Sequence, residues 1–546
     1  MANENAYPAI ERHCDVAVIG GSAAGLAAAL QLARQRRSVI VVDDDTPRNA
    51  PAAHVHGYLG QEGAAPAELV ASGREEVRGY GGEILPGRAL AVRRADDGRL
   101  CVQLTGGHSL IARRVLAATG IADELPAIEG LAGQWGQGVI HCPFCHGFEV
   151  RDQRLVQIIT HPTGFHPTAL FRHLTDRLTV VLHGADAVDE AGVAALTTAG
   201  VPVVRDAVRR VVTTADGRLE GVELADGATL EADVVVVGAR FRARAEALAA
   251  AGVTTTPHFS GLGDAVEVDQ AGQTSVPGIF AAGNLTDPSL QVLPAAAHGS
   301  RVGAMIAFGL AEEDLRAGAR TSGEQADWEH RYGAEPVWSR NPNGTLVNQA
   351  SGLAPGRALD IGAGEGADAL WLAEQGWEVT ATDISGNALA RVGAEAGRRG
   401  LTVRSLRGDA NDPGAFGDET YDLVSLQYGS FHRTPDQRGL RNLLGAVAPG
   451  GTLLVVGHDL GPLRHPVDVS TQTRMYDPGA YVGVDEIAAA LDGAATWHVE
   501  LHETRPRPAG AVSAHHVDDV VLRARRVTAP PPVGNTGPRA SSQASR

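Results

Sequence analysis

The sequence contains no lysine: all 47 of its basic residues are arginine. Schiff-base chemistry, including the anchoring of pyridoxal phosphate, and the lysine of a phosphate-binding loop are thereby excluded. Cysteine is nearly as scarce. Four in 546 residues are too few for a disulfide scaffold, so a paired motif here points to redox work or metal binding. No apolar run reaches the ~18 residues that a membrane-spanning helix needs. The opening MANENAYPAIERHCD lacks the basic start and apolar stretch of a secretory leader. Aromatics make up 4%, and 64 acidic residues leave a net charge of −17. That balance opposes nucleic-acid phosphates and anionic membranes, and it points to a diffusing cytoplasmic protein with neither as partner.

Hydrophobic residues make up 44%, enough for a substantial core, and the length suggests about three or four compact units. Residues 15–20, DVAVIG, read as a strand, followed by GSAAG and an Ala/Leu-rich helix to about Arg36. SVIVVDDD (38–45) is a second strand ending in acids. A strand, glycine turn, helix and strand in this order form the first unit of a dinucleotide-binding fold, where helix amides receive a pyrophosphate. Gly20 and Gly25 match the first and third glycines of GxGxxG, Ser22 replaces the second, and Asp43 stands where an acid binds ribose hydroxyls. VLAATGI (115–121) and VPGIFAAGN (276–284) are strands ending at glycine. RLVQII (154–159) and LTVVLHG (178–184) suggest another strand–helix–strand unit, and 211–238 reads as a β-meander with Asp-Gly turns. Residues 310–327 read as a linker or connecting helix, and the Pro/Gly/Ser-rich end as a disordered tail.

Two of the cysteines stand in HCPFCHGFE (141–149). A zinc site would require a second ligand pair, and Cys14 and Cys101 are single. Two unrelated packing thiols fit poorly with Pro143 between them and histidines on either side. A redox pair fits best, because the two-residue spacing lets a thiolate attack its partner. Cys142 and Cys145 are therefore the catalytic candidates, with no metal expected. His146 is placed to move the proton that accompanies thiol attack, or else it merely packs.

Residues 15 to about 312 resemble the low-molecular-weight thioredoxin reductase family of flavoproteins, through IGGSAAG, DDDTPRNAPAAHVHGYLG, AATG, HCPFCHG and VPGIFAAGN. The resemblance implies a homodimeric FAD enzyme acting on a small dithiol or disulfide, or on a thioredoxin-like protein. It implies that Gly20, Ser22, Gly25 and Asp43 hold the adenine half of FAD. Arg48 and Asn49 would lie near the flavin, Thr119 and Gly120 would line the site, and Asn284, after Gly283, would approach the ribityl chain and Gln291 the ring. It also implies a discontinuous FAD-binding domain (1–122 and 241–312) interrupted by a domain that carries the dithiol (123–240).

Two departures carry information. An acid normally follows the dithiol, whereas His146 follows it here, as in the related flavin-dependent dithiol oxidases. Second, the inserted domain lacks the family's glycine turn for NADPH: Thr160, Pro162 and Phe165 occupy its small-residue places. Proline has no amide to offer a pyrophosphate, and phenylalanine fills the groove. An acidic LHGADAVDE (182–190) replaces the basic cluster for the 2′-phosphate. NADPH binding is expected to be weak or lost, with oxygen as the electron acceptor.

A second strand–glycine–helix–strand unit opens at Arg357. ALDIGAGEGADALWLAEQGWEVTATDIS (358–385) carries Gly362, Gly364 and Gly366, and Asp383 falls about seventeen residues after the last glycine, placed for ribose hydroxyls. Asp360 suits the amino end of an amino-acid-bearing nucleoside, and Asp409 an adenine edge. YDLVSLQYGSFH (421–432) and APGGTLLVVGHD (448–459) supply further strands. This ordered set resembles class I S-adenosylmethionine-dependent methyltransferases over residues 328–526, after a linker at 313–327 and before a tail at 527–546. Trp338, Tyr428 and His432 are candidates to border the methyl acceptor. The sequence thus predicts an α/β chain in which a two-domain FAD/NAD(P)-type fold of three-layer ββα form precedes a Rossmann-like methyltransferase. Its two rival readings are an NADPH-driven disulfide reductase and a flavin redox sensor regulating the methyltransferase.

Overall fold

The computed structural model describes residues 9–184, 188–318, 322–333, 335–507 and 518–527. The opening residues 1–8, the centre of the acidic stretch at 185–187, part of the linker at 319–321 and the tail from 528 onward lie outside the described residues. The chain forms two α/β units, Met1–Asp327 with Pro466–Ala480, and Trp328–His465 with Tyr481–Arg546.

In the first unit the run after Glu11 is buried along its whole length, as a central parallel strand covered on both faces must be. Around it the strands lie in the order Glu83–Pro86, Val39–Asp43, Glu11–Ile19, Ser109–Ala117, Leu100–Leu104, Ala89–Arg94, with Ile279–Ala281 also paired to Ser109–Ala117. The helix Ala23–Arg34 packs its Ala and Leu face on this sheet, and Gly299 and Gly303 of the long helix Val292–Ala317 let that helix approach Ala24 and Ala28 closely. A second sheet is all parallel, in the order Val203–Val204, Leu178–Leu182, Leu155–Ile159, Val234–Val237, Val139–Ile140. The chain passes between the two sheets twice, along the antiparallel pair Ile121–Glu124 and Arg240–Ala243.

The expected meander over 211–238 holds only in part. Val208–Thr213, Leu219–Leu224 and Thr229–Glu231 form an antiparallel sheet, but Val234–Val237 leaves it for the centre of the parallel sheet. Its four valines are all buried. A run without a polar alternate needs cover on both faces, which an exposed meander does not supply.

Of the stretch read as a linker or connecting helix, the described residues are mostly helical: its first part ends the helix Val292–Ala317 and its last part lies in the helix Gly323–Arg331. Asp327, 3% exposed, accepts from Arg12 Nε at 3.2 Å and from the His13 amide at 2.7 Å, while Arg12 also pairs with Glu83 at 2.8 Å. Removing one member of a buried ion cluster leaves charge and amide stranded. Asp327→Ala should therefore cost about 3 kcal/mol of stability, read as a lower urea midpoint with an unchanged slope. Residues 466–480, expected within the methyltransferase, also belong to the first unit. There Asp477 accepts from Arg78 Nε and from the Ile84 amide, both at 2.8 Å, beside the strand Glu83–Pro86.

The second unit is one sheet in the order Val403–Arg407, Glu378–Asp383, Arg357–Ile361, Tyr421–Gln427, Val447–His458, Asp518–Arg526, Trp497–Pro506. The first five strands are parallel; Asp518–Arg526 runs antiparallel to them, and Trp497–Pro506, antiparallel to Asp518–Arg526, again shares their direction. The chain reverses its winding between Arg357–Ile361 and Tyr421–Gln427, and in open α/β sheets ligands bind at such a switch, beyond the carboxyl ends of the strands.

Candidate active sites

A cavity of about 1870 Å³ in the first unit brings together most of the predicted residues: Gly20, Ser22, Asp43, Arg48, Asn49, Thr119, Gly120, Cys142, Cys145, His146, Asn284 and Gln291 all line it. Gly20 has φ +104°, and a Cβ there would meet the Ala118 carbonyl oxygen at 2.5 Å. This turn leads through Ser22 into the helix Ala23–Arg34, whose first-turn amides have no partners within the helix. Asp43 ends its strand and accepts from the Gly21 amide and from Arg74. Gly25 and Gly283 do not line the cavity. They serve packing: a Cβ on Gly25 would collide with the Gly20 carbonyl, and one on Gly283 would lie 2.7 Å from the Ala24 methyl. The Asn284 amide is committed to its own loop, donating to the carbonyls of Asp287 and Leu290.

Cys142 and Cys145 are joined as a disulfide, with Pro143 opening the short helical turn between them. Gln291 Nε2 lies 3.9 and 3.7 Å from the two sulfurs, so the dithiol faces the same space as the glycine turn. His146 is half-buried, its pKa pushed down chiefly by burial, with Glu149 opposing and His56 assisting. Its Nδ1 has no hydrogen-bond partner among the described residues. A neutral imidazole with a bare ring nitrogen beside a dithiol is equipped to take a proton.

Sequence reasoning named Arg48 but missed the residues that hold it. Arg48 makes a bidentate bond to Asp123, at 2.9 and 2.7 Å, lies 3.3 Å from His141 Nε2, and sits 4.7 Å above the Phe241 ring. His141 stacks on Trp135, and burial with the Arg48 charge lowers its pKa to about 4, so it stays neutral. His56 lies 2.7 Å from Glu62 and 3.6 Å from Glu149. No local signal joins these partners; only the histidines of HVHG (54–57) hinted at a polar cluster.

In the second unit Gly362, Gly364 and Gly366 all have positive φ, at +66°, +54° and +86°. Asp383 accepts from the Gly364 amide at 2.9 Å and the Ser385 amide at 2.8 Å, which ties the end of its strand to the glycine turn. Asp360 is 2% exposed, and one of its carboxylate oxygens has no partner among the described residues. Burial first, then Asp368 and Asp383, push its pKa well up. An orphaned buried carboxylate at a glycine turn fits a ligand that brings a positive amino group. Asp409 follows the neighbouring strand Val403–Arg407 and caps the Asn411 amide. Of the three acceptor candidates, Trp338 donates to the Tyr332 hydroxyl and His432 stacks on Tyr481, while Tyr428 stands at the carboxyl end of the central strand.

Comparison with known proteins decides the broad assignment. The sequence model of the pyridine nucleotide-disulphide oxidoreductases matches residues 14–300, and that of a methyltransferase domain matches residues 358–451. The chain belongs to the pyridine nucleotide-disulphide oxidoreductase family. Within it, the thioredoxin reductase sirT of Leptosphaeria maculans is 28% identical over 323 residues, covering 56% of this chain and 98% of that protein. The thioredoxin reductase tcpT of Claviceps purpurea is 30% identical over 281 residues, covering 50% and 86%. Among solved structures, that of HlmI is 40% identical, covers 56% of this chain and 95% of its own, and superposes with a TM-score of 0.52.

The protein is thus a thioredoxin reductase-like oxidoreductase fused to a methyltransferase domain, and both halves have the α/β folds expected from the sequence. The oxidoreductase family implies a flavin and the methyltransferase domain S-adenosylmethionine. Among the described residues no helix is long and apolar enough to cross a membrane.

Proposed function

We propose that the first unit binds FAD and oxidises a small dithiol, with oxygen as the final acceptor, and that the second transfers a methyl group from S-adenosylmethionine. A sulfur-containing small molecule acted on by both halves would rationalise the fusion. The observation that carries the redox reading is the Cys142–Cys145 pair on the wall of the glycine-turn cavity, with the bare Nδ1 of His146 nearby.

Thiol–disulfide exchange accounts for the electrons. One substrate sulfur bonds a cysteine sulfur and releases the other as thiolate; the second substrate sulfur then displaces the first cysteine, closing the substrate disulfide and leaving both cysteines reduced. Two protons leave the substrate: His146 takes one at Nδ1, and the released cysteine thiolate takes the other. A bound flavin would supply the route from the reduced cysteines to oxygen, which becomes hydrogen peroxide. Gly20, Ser22 and the helix behind them suit its pyrophosphate, and Asp43 its ribose.

The segment after Leu155–Ile159 supports electron entry from the dithiol rather than from NADPH. Pro162 has no amide, the Gly164 and His166 amides bond back to the His161 and Thr163 carbonyls, and Phe165 packs on the apolar core below. Few donors are left for a pyrophosphate. The names of the relatives favour a second reading, NADPH-driven reduction of a thioredoxin-like protein. Anaerobic mixing separates the two. A small dithiol such as dithiothreitol should bleach the flavin band, and NADPH should not; rapid bleaching by NADPH with none by dithiols would establish the reductase instead.

His146 sets the pH dependence. Its neutral form is the base, and burial holds its pKa below the ordinary 6.5. Dithiol oxidation should fall as pH drops through that lowered value and hold above it. His146→Gln should slow turnover by about 10²–10⁴-fold and remove the acid limb from the pH–rate profile.

A further inference from the structure

The second unit carries a polar cluster that the donor site does not use. Tyr428 follows the strand Tyr421–Gln427 with φ +54°, a conformation that a bulky side chain adopts only when its surroundings enforce it. Its hydroxyl donates to Asp519 at 2.7 Å, and its ring lies between His458, 4.6 Å away, and the Arg507 guanidinium, 4.8 Å away. Asp519 is fully buried, 3.3 Å from Arg507 Nε and 3.4 Å from the Thr345 hydroxyl. The Nη1 of Arg507 is buried and has no hydrogen-bond partner among the described residues. These side chains converge at the carboxyl end of the sheet because Trp497–Pro506 ends there with the parallel strands and the reversed strand Asp518–Arg526 begins there.

That edge adjoins the donor site. A Cβ on Gly362 would lie 3.6 Å from the Gly429 Cα, so the residue after Tyr428 abuts the first glycine of the turn. Asp360, Gly364 and Asp383 lie on one side of the topological switch, and Tyr428 and His458 on the other. Asp519 Oδ2 is taken by Tyr428 and Thr345, while its Oδ1 has only the 3.3 Å ion-pair approach of Arg507 Nε and no hydrogen-bond partner among the described residues. The buried guanidinium still keeps its Nη1 donor unused, which suits an anionic group. The Tyr428 hydroxyl, held protonated by burial and by Asp519, orients Asp519 and does not act as a base.

We propose that Arg507, positioned by Asp519 and Tyr428, binds the methyl acceptor through an anionic group, either a carboxylate or the thiolate that receives the methyl. The proposal rests on the methyltransferase reading above. Two probes separate the sources: 2-mercaptobenzoate carries both groups, and thiophenol only the sulfur. Each is titrated calorimetrically into the full-length protein already saturated with S-adenosylhomocysteine. In Arg507→Gln, 2-mercaptobenzoate should bind at least about tenfold more weakly, with S-adenosylhomocysteine affinity unchanged. Equal weakening of thiophenol assigns the thiolate to Arg507, and unchanged thiophenol assigns the carboxylate. Tyr428→Phe, which removes one oxygen, should weaken 2-mercaptobenzoate about threefold or more, and it decides the matter if Arg507→Gln also loses S-adenosylhomocysteine. Failure of the wild type to bind either probe, or affinities unchanged in both variants, overturns the proposal. Failure to bind S-adenosylhomocysteine itself overturns the methyltransferase reading instead.

Discussion

Cys145→Ser should leave a yellow, flavin-loaded protein whose band no dithiol can bleach, with turnover lowered by at least about 10⁴-fold. The magnitude follows from removing one member of a pair that acts as a unit, where either loss costs nearly as much as both. Substituting an oxygen for a sulfur changes little else. The residue sits on a half-exposed turn whose backbone bonds, from the Cys145 and His146 amides to the Cys142 carbonyl, do not involve the side chain. Flavin content and thermal midpoint should therefore match the wild type, and stopped-flow bleaching under argon reads the loss. Cys142→Ser should be equally dead, because exchange needs both sulfurs to close the disulfide. The same variants address the sensor reading. If wild type turns over no dithiol, and Cys145→Ser nonetheless changes the rate of methyl transfer, the first unit regulates the second and the catalytic proposal fails.

The parts of the molecule legible in the sequence are those whose physics is local. A strand, a glycine turn and a helix announce themselves within about 25 residues, because the turn's positive φ and the helix's small-residue face are both encoded there. Cys142, Cys145 and His146 are likewise one short word. Pairings made across the chain were not legible. The family resemblance implies that Arg48 lies near the flavin, but nothing in the sequence around it points to Asp123, 75 residues later, which accepts from its guanidinium. Arg12 and Asp327 are separated by 315 positions, so residues that look like polar linker prove to be anchored in a buried ion cluster. Val234–Val237 follows a hairpin pattern and still joins a parallel sheet, since its uniform burial outweighs its neighbours' turn chemistry. Arg507 and Asp519 carry no motif at all. They reach Tyr428 only because Asp518–Arg526 inserts antiparallel between Val447–His458 and Trp497–Pro506, so that it begins where they end, a topological fact without local signature.

The second large effect belongs to the other glycine turn. Gly364→Arg should raise the dissociation constant for S-adenosylhomocysteine more than about 100-fold, a loss near 2.7 kcal/mol. Two costs combine. Gly364 sits at φ +54°, where an L side chain is strained, and its Cβ would lie 2.7 Å from the buried Tyr332 hydroxyl. Tyr332 cannot easily retreat, since it accepts from Trp338 Nε1 and its ring stacks on Trp328. The turn would shift instead and pull the Gly364 amide from Asp383, the acid expected to meet the ribose. Gly364→Ala separates the costs: it meets the same tyrosine and the same strain without the bulk of a guanidinium, and it should show a smaller loss in calorimetric titration. An affinity in Gly364→Arg within about twofold of wild type would remove the glycine turn from the donor site. Asp360, with its orphaned oxygen, would then need another ligand to explain it.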